Sequence, residues 1–276
     1  ARFLPPNPVQ SDSRTPRWRD VALNALTFGL LMASVEGLSH GWDGRILLAG
    51  AAVLLAAGGW FVRSQLRETH PLLPLDLLRI PVFSVSVLTS VCSYLAQMLS
   101  MVALPFYLQH TLGYDEVTAG LLLTAWPAVI VAVAPAAGML VGRLHPGALG
   151  GTGLAAMAAG LAALAWLPAE PSAADIVWRL ALGGAGFALF QSPNNSMLIA
   201  SAPPERSGSA SGMLATARLT GQTTGAALMA LLFHAMPDRS TRAALAVAAA
   251  AALAGSAVSF LRLGLPLPES LVRRKR

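Results

Sequence analysis

Charge is what this 276-residue sequence has least of. Asp, Glu, Lys and Arg make up 12% of it, about half of what a soluble domain carries, so an ordinary water-facing surface is excluded. Cysteine is nearly absent. Cys92 is the single one and sits inside an apolar run, which excludes a disulfide framework or a cysteine metal site within the chain. The histidines at 40, 70, 110, 145 and 234 are scattered singly, so no metal cluster is predicted and no cofactor is implied. No His/Glu pair, Ser/His dyad or Asp pair falls at matching depth, which argues against an intramembrane enzyme. Residues 1–20 are polar, proline-rich and basic and lack the apolar core of a signal peptide. The sequence starts at Ala1 rather than methionine, which suggests a piece of a longer chain.

What fills the sequence instead is apolar. Hydrophobic residues make up 55%, and the mean hydropathy is +0.60. A spanning helix needs about 20 mostly apolar residues to cross about 30 Å of hydrocarbon. Eight stretches come near this: Val21–Leu38, Ile46–Val62, Val82–Gln109, Val117–Val141, Ala148–Leu167, Ile176–Ala202, Ser209–Met236 and Ala243–Leu263. Backbone in lipid must pair internally, and runs this long do not suit a barrel. The expectation is therefore an all-α polytopic membrane protein of about eight transmembrane helices. Its parts are a segment 1–20, two helices within 21–62, a loop 63–81, a six-helix bundle 82–263 and a basic tail 264–276.

Arginine placement gives the orientation. With every run spanning, one side collects Arg2, Arg14, Arg17, Arg19, Arg63, Arg67, Arg79, Arg143, Arg206, Arg262 and the tail Arg273-Arg274-Lys275-Arg276, and the other only Arg45, Arg239 and Arg242. Both ends are thus expected in the cytoplasm, with the tail resting on anionic lipid rather than on nucleic acid. Arg179 and Arg218 fall inside runs, Arg179 near the outer interface. Glu36 is the one acid expected within the membrane, as a proton site or as a solvated helix-end carboxylate.

Several stretches carry chemistry. Gly138-Met-Leu-Val-Gly142-Arg143 pairs two small residues four apart with an arginine at the membrane edge. It resembles a degenerate copy of the loop motif of the major facilitator superfamily, though a tight turn with a positive-inside arginine would look the same. Gly183-Gly-Ala-Gly186-Phe187-Ala-Leu-Phe190-Gln191-Ser-Pro193-Asn194-Asn195 sets three glycines for close helix approach, a helix-interior proline and three amides inside the membrane, where polar groups are expected to line a cavity. Glu205-Arg206-Ser-Gly-Ser-Ala-Ser-Gly212 follows, leading to Arg218, Gly221 and Gly225. These elements are similar to the tenth and eleventh helices of the 14-span drug:proton antiporters of the EmrB/QacA type. Arg2-Phe3-Leu4-Pro5, the helix pair around Glu36-Gly37 and Gly41-Trp42, and His70-Pro-Leu-Leu-Pro-Leu-Asp-Leu-Leu-Arg79 resemble the family's sequence in the same order.

The resemblance implies the C-terminal half of a facilitator fold, and efflux of hydrophobic or cationic drugs in exchange for protons by alternating access. It also implies a missing N-terminal six-helix half that holds most of the proton machinery, and residence in the bacterial inner membrane. Partners would be the lipid bilayer, small hydrophobic or cationic substrates and protons. A non-transporting membrane scaffold is the rival reading.

On the helix from Val82, Tyr94, Gln97, Met98 and Met101 share one face by their spacing. They are candidates for cavity lining, with plain packing as the alternative, chiefly for the methionines. Trp126, mid-span beside Pro127, is a candidate cavity wall, and Phe187, Phe190, Gln191, Asn194 and Asn195 complete the substrate set. Gly138, Gly142, Arg143, Pro193, Arg218, Gly221 and Gly225 are assigned to gating or structure. Ala148–Leu167 and Ala243–Leu263, almost without polar side chains, are expected to face lipid.

Overall fold

A computed structural model describes residues 75–265, apart from 142 and 169, and isolated helical positions between 22 and 63. The segment 1–20, Glu36, Gly142 and the tail beyond 265 lie outside the described residues, as does most of 21–74. Among the described residues there is no strand.

After a short 3-10 turn, Leu75–Arg79, six apolar runs become helical within three residues of the expected ends. They are α1 (Pro81–Phe106), α2 with α3 (Glu116–Leu123 and Ala125–Leu140, one broken span), α4 (Pro146–Ala165), α5 (Ala173–Ala200), α6 (Ser207–Ala235) and α7 (Ser240–Leu261). Among the described residues, five spans are long and apolar enough to cross a membrane. The sixth, α6, has the length but carries Arg218, Gln222 and four threonines.

Proline and caps place the breaks. Pro105 cannot supply an N–H to the preceding turn, and the chain continues into a π turn, Tyr107–Thr111, closed by Leu112 N–H donating to the Tyr107 carbonyl at 3.1 Å. Gly113 then takes φ +74°, a conformation open to glycine at little cost. Asp115 caps α2, its Oδ2 accepting from Val117 and Thr118 N–H at 3.1 Å each. The α2–α3 break at Thr124 precedes Pro127, and Ser172 caps α5 through Asp175 N–H at 3.2 Å.

Packing is set by side chains that are not there. A Cβ on Gly186 of α5 would fall 2.3 Å from Met157 N and 2.4 Å from the Gly153 carbonyl of α4. The two backbones therefore touch directly, as small residues permit in membranes. Gly221 and Gly225 do the same for α6, where added Cβ atoms would meet the Val91 carbonyl at 2.6 Å and the Leu95 carbonyl at 2.8 Å on α1.

One expectation is corrected. The run within Ala148–Leu167 was expected to face lipid, yet α4 is the most enclosed span, 61% buried. Its Gly and Ala side chains read as apolar on any scale, but their small volume suits the gap between α5 and α7. The span with most open apolar surface is Glu116–Leu140, 17% buried, with Leu121, Val131 and Met139 exposed.

At one end of the bundle Arg206 forms a two-pronged salt bridge with Asp76, 130 residues away, one prong at 3.0 Å. The Arg206 hydrogen bond holds the Asp76 carboxyl below its usual range, and Asp76 in turn raises Arg206.

Two outcomes follow. Gly186→Ala should lower stability by about 2–3 kcal/mol or prevent assembly, because backbone cannot yield as a side chain does; thermal unfolding of the intact protein in detergent reads this. Arg206→Gln should cost about 0.5–1 kcal/mol at neutral pH, the scale of an exposed pair. Since the folded pKa of Asp76 is depressed, the difference between variant and parent should be full above the unfolded carboxylate range and vanish as pH falls through the lowered value.

Candidate functional site

The polar residues of α1 and α5 meet in rungs. Asn194 Nδ2 donates to Ser90 Oγ at 2.7 Å, and Gln191 Nε2 donates to Tyr94 Oη at 3.2 Å. The numbers rise along α1 and fall along α5, so the helices run antiparallel, and the i, i+4 and i, i−3 steps place both rungs on facing stripes. Most serine and threonine hydroxyls on α1 are satisfied by their own helix, such as Ser86 Oγ to the Val82 carbonyl at 2.7 Å and Ser90 Oγ to the Ser86 carbonyl at 2.9 Å.

Around the Tyr94–Gln191 rung lies an aromatic group. Phe187 stands edge-on to Tyr94, with ring centroids 5.8 Å apart at 74°, and Phe190 lies 6.4 Å beyond Phe187. From α6 the Arg218 guanidinium sits 5.5 Å from the Tyr94 ring centroid, within cation–π range. Tyr94 is nearly enclosed while Arg218 is exposed. Gly221 permits this, because α6 presses onto α1 beside the Tyr94 Cβ.

The Ser90–Asn194 rung continues to Arg262, one of the arginines expected on the cytoplasmic side. Arg262, on the turn after α7, is 1% exposed. Its Nη2 donates to Asn194 Oδ1 at 2.7 Å and to the Val85 carbonyl at 3.4 Å. Its Nε and Nη1 have no hydrogen-bond partner among the described residues. The positive-inside count weighs where an arginine falls in the chain, not whether its stem turns back into the bundle. Ser90, the other missed residue, shares the i, i+4 stripe with Tyr94.

The remaining candidates fall in several places. Gln97 and Met98 are half-buried and Met101 is exposed; Met98 backs onto Gly225. Trp126 is 2% exposed. Its ring and backbone press on Gly183 and Gly184, where added Cβ atoms would lie 2.5 Å from the ring and 2.7 Å from the Trp126 carbonyl. In this chain it joins α3 to α5, and its Nε1–H has no partner among the described residues. Asn195 is half-buried with Oδ1 similarly alone. Pro193 is buried inside α5. Gly138 is open, with Ser192 Oγ the nearest atom to an added Cβ at 4.0 Å, and Arg143 is exposed. Arg179 is held by Asp175 at 3.0 Å, one turn back on α5.

Removing the Asn194 amide while keeping Arg262 strands a buried cation. Asn194→Leu should therefore destabilise the intact protein by roughly 2–4 kcal/mol. Adding Arg262→Leu should recover much of the loss, a coupling that a double-mutant cycle of thermal unfolding measures.

A family profile described as Major Facilitator Superfamily matches residues 86–276. An uncharacterized transporter, YebQ of Escherichia coli (strain K12), is 51% identical over 265 residues, 96% of this chain and 58% of that protein. The multidrug resistance protein Stp of Mycobacterium tuberculosis (strain ATCC 25618 / H37Rv) is 31% identical over 213 residues, 76% of this chain and 38% of its own length. The tetracenomycin C resistance and export protein of Streptomyces glaucescens is 29% identical over 224 residues, 79% of this chain and 41% of its own. The chain thus spans 38–58% of the length of these relatives. With its stacked apolar spans and a profile match over more than half its length, this multi-pass membrane chain belongs to the Major Facilitator Superfamily of transporters.

Proposed function

We propose that this chain forms one wall of the substrate pathway of a drug exporter that exchanges hydrophobic or cationic compounds for protons by alternating access. The observation that carries the reading is the Tyr94, Gln191, Phe187 and Arg218 group between α1, α5 and α6. Polar and aromatic side chains gathered inside apolar helices are costly unless they serve protein contacts or a pathway. The Tyr94 ring already receives a guanidinium at 5.5 Å, so this face suits a cation, and a lipophilic cation would compete with Arg218 for it. Phe187, buried edge-on against Tyr94, backs that face with a second ring. Two relatives, a multidrug resistance protein and a tetracenomycin C resistance and export protein, support the drug reading.

The proton carriers are assigned elsewhere. The described acids stand at helix ends or in loops: Asp76, Asp115, Glu116, Glu170, Asp175, Glu205 and Asp238. Carboxylates that load and release protons at mid-membrane therefore belong outside the described residues, and a second six-helix half is the place the fold offers for them. Gly138, Gly142, Arg143, Pro193, Arg218, Gly221 and Gly225 are assigned to gating or to the packing that gating works against. Both ends are placed on the cytoplasmic side of the inner membrane, following the arginine asymmetry.

The test is efflux of several lipophilic cationic dyes by the intact transporter in cells stripped of other pumps. Tyr94→Ala and Gln191→Ala, matched for membrane abundance, should each raise the dye concentration needed for half-maximal efflux about fivefold or more, the scale of about 1–2 kcal/mol of lost contact. Unchanged efflux across the dyes would remove these residues from the pathway. No efflux by the parent for any compound would favour the scaffold reading.

A further inference from the structure

The end of the bundle opposite Asp76 and Arg206 holds a cavity of about 750 Å³. Its walls are the π turn after α1, the last turn of α4 and the start of α7. It lies apart from the drug wall: Tyr107, which lines it, is thirteen residues beyond Tyr94, or about 20 Å along a helix.

Its charge is unbalanced. Arg239 and Arg242 face it with one carboxylate, Asp238, and neither arginine is in an ion pair among the described residues. The first turn of α7 carries no acid, so the amides at that helix start add positive potential of the same sign. Arg242 is held by an aromatic anchor, its Nε donating to Tyr107 Oη at 3.4 Å and its guanidinium 5.9 Å from that ring. This fixes one side of the fork and leaves both Nη groups without a partner among the described residues.

The rest of the cavity is shaped for an amphiphile. Trp166 is 76% exposed where α4 ends, the level at which indole rings sit between hydrocarbon and headgroups. Below the arginines the lining turns to small apolar residues such as Ala246. A cationic fork at the boundary, an interfacial indole and an apolar floor match a phosphate joined to a glycerol and acyl chains. Against one acid the two arginines favour a headgroup with net negative charge over a zwitterion.

We propose that this pocket binds the phosphate headgroup of an anionic phospholipid, such as phosphatidylglycerol, from the leaflet at this end of the bundle. The assignment is independent of what the transporter carries.

Thermal unfolding of the intact transporter, purified in detergent and titrated with lipid, tests it. Phosphatidylglycerol should raise the Tm of the parent by about 3–5 °C, the effect of a ligand well above its Kd, and phosphatidylcholine should raise it far less. Arg239→Gln, whose side chain has no intraprotein partner among the described residues, should keep the parent Tm without lipid and lose at least half of the shift. Arg242→Lys, which keeps the charge near Tyr107, should retain more of the shift than Arg242→Gln. Equal response to phosphatidylcholine overturns the proposal. So does an equal response to millimolar inorganic phosphate, which would mark a free-anion site, or an undiminished phosphatidylglycerol shift in both Arg239→Gln and Arg242→Gln.

Discussion

A polar atom inside an apolar slab must find its partner within the protein, and in this bundle that requirement decides which helices can be neighbours. Ser86, Thr89, Ser90 and Ser93 put four hydroxyls on the buried side of α1. Most return to their own helix, but Ser90 also receives the Asn194 amide, and Asn194 in turn receives Arg262. Three elements distant in sequence are thereby held at one level. Apolar contact alone would not choose that register, because lipid tails compete equally well for leucine and alanine. The hydrogen bonds supply direction, and the glycines supply the proximity that lets short side chains such as Ser90 reach.

The two kinds of contact divide the work between helix pairs. Between α4 and α5, and between α1 and α6, backbones touch at Gly186 and Gly153 and at Gly221 and Gly225, giving stiff seams with little side-chain freedom. Between α1 and α5 the links at the level of Tyr94 are an amide-to-phenol bond of 3.2 Å and the edge of Phe187 on the Tyr94 ring. The α1–α5 side of the candidate pathway is thus fastened by side chains, and its α1–α6 side by backbone.

Much of this was legible in advance because hydropathy and helix length are strongly coupled in a membrane. The described spans could be read from apolar runs, and the glycines at 183, 184 and 186 announced a close approach before any partner was known. The partners were not legible. Nothing local to Trp126 says that its ring will lie on Gly183 rather than in a cavity, because that depends on which face of α5 meets α3. The small residues of α4 have the same hydropathy as lipid-facing ones and differ only in volume, which matters once neighbours are present. Arg262 shows the same limit for charge. A positional rule treats it as one more cytoplasmic cation, and only the geometry of the turn after α7 brings it to Asn194.

The Asp76–Arg206 bridge has a mechanical meaning beyond its modest energy. It ties the turn before α1 to the turn before α6, and the same two helices are joined again at Gly221 and Gly225. A pair of rods pinned at two heights resists scissoring. Tyr94 and Arg218 stand on opposite rods of that pair, so the two pins set the spacing at which the guanidinium meets the ring. Against α5 the pair is held at this level by side chains, through the Ser90–Asn194 and Gln191–Tyr94 hydrogen bonds and the edge of Phe187 on Tyr94.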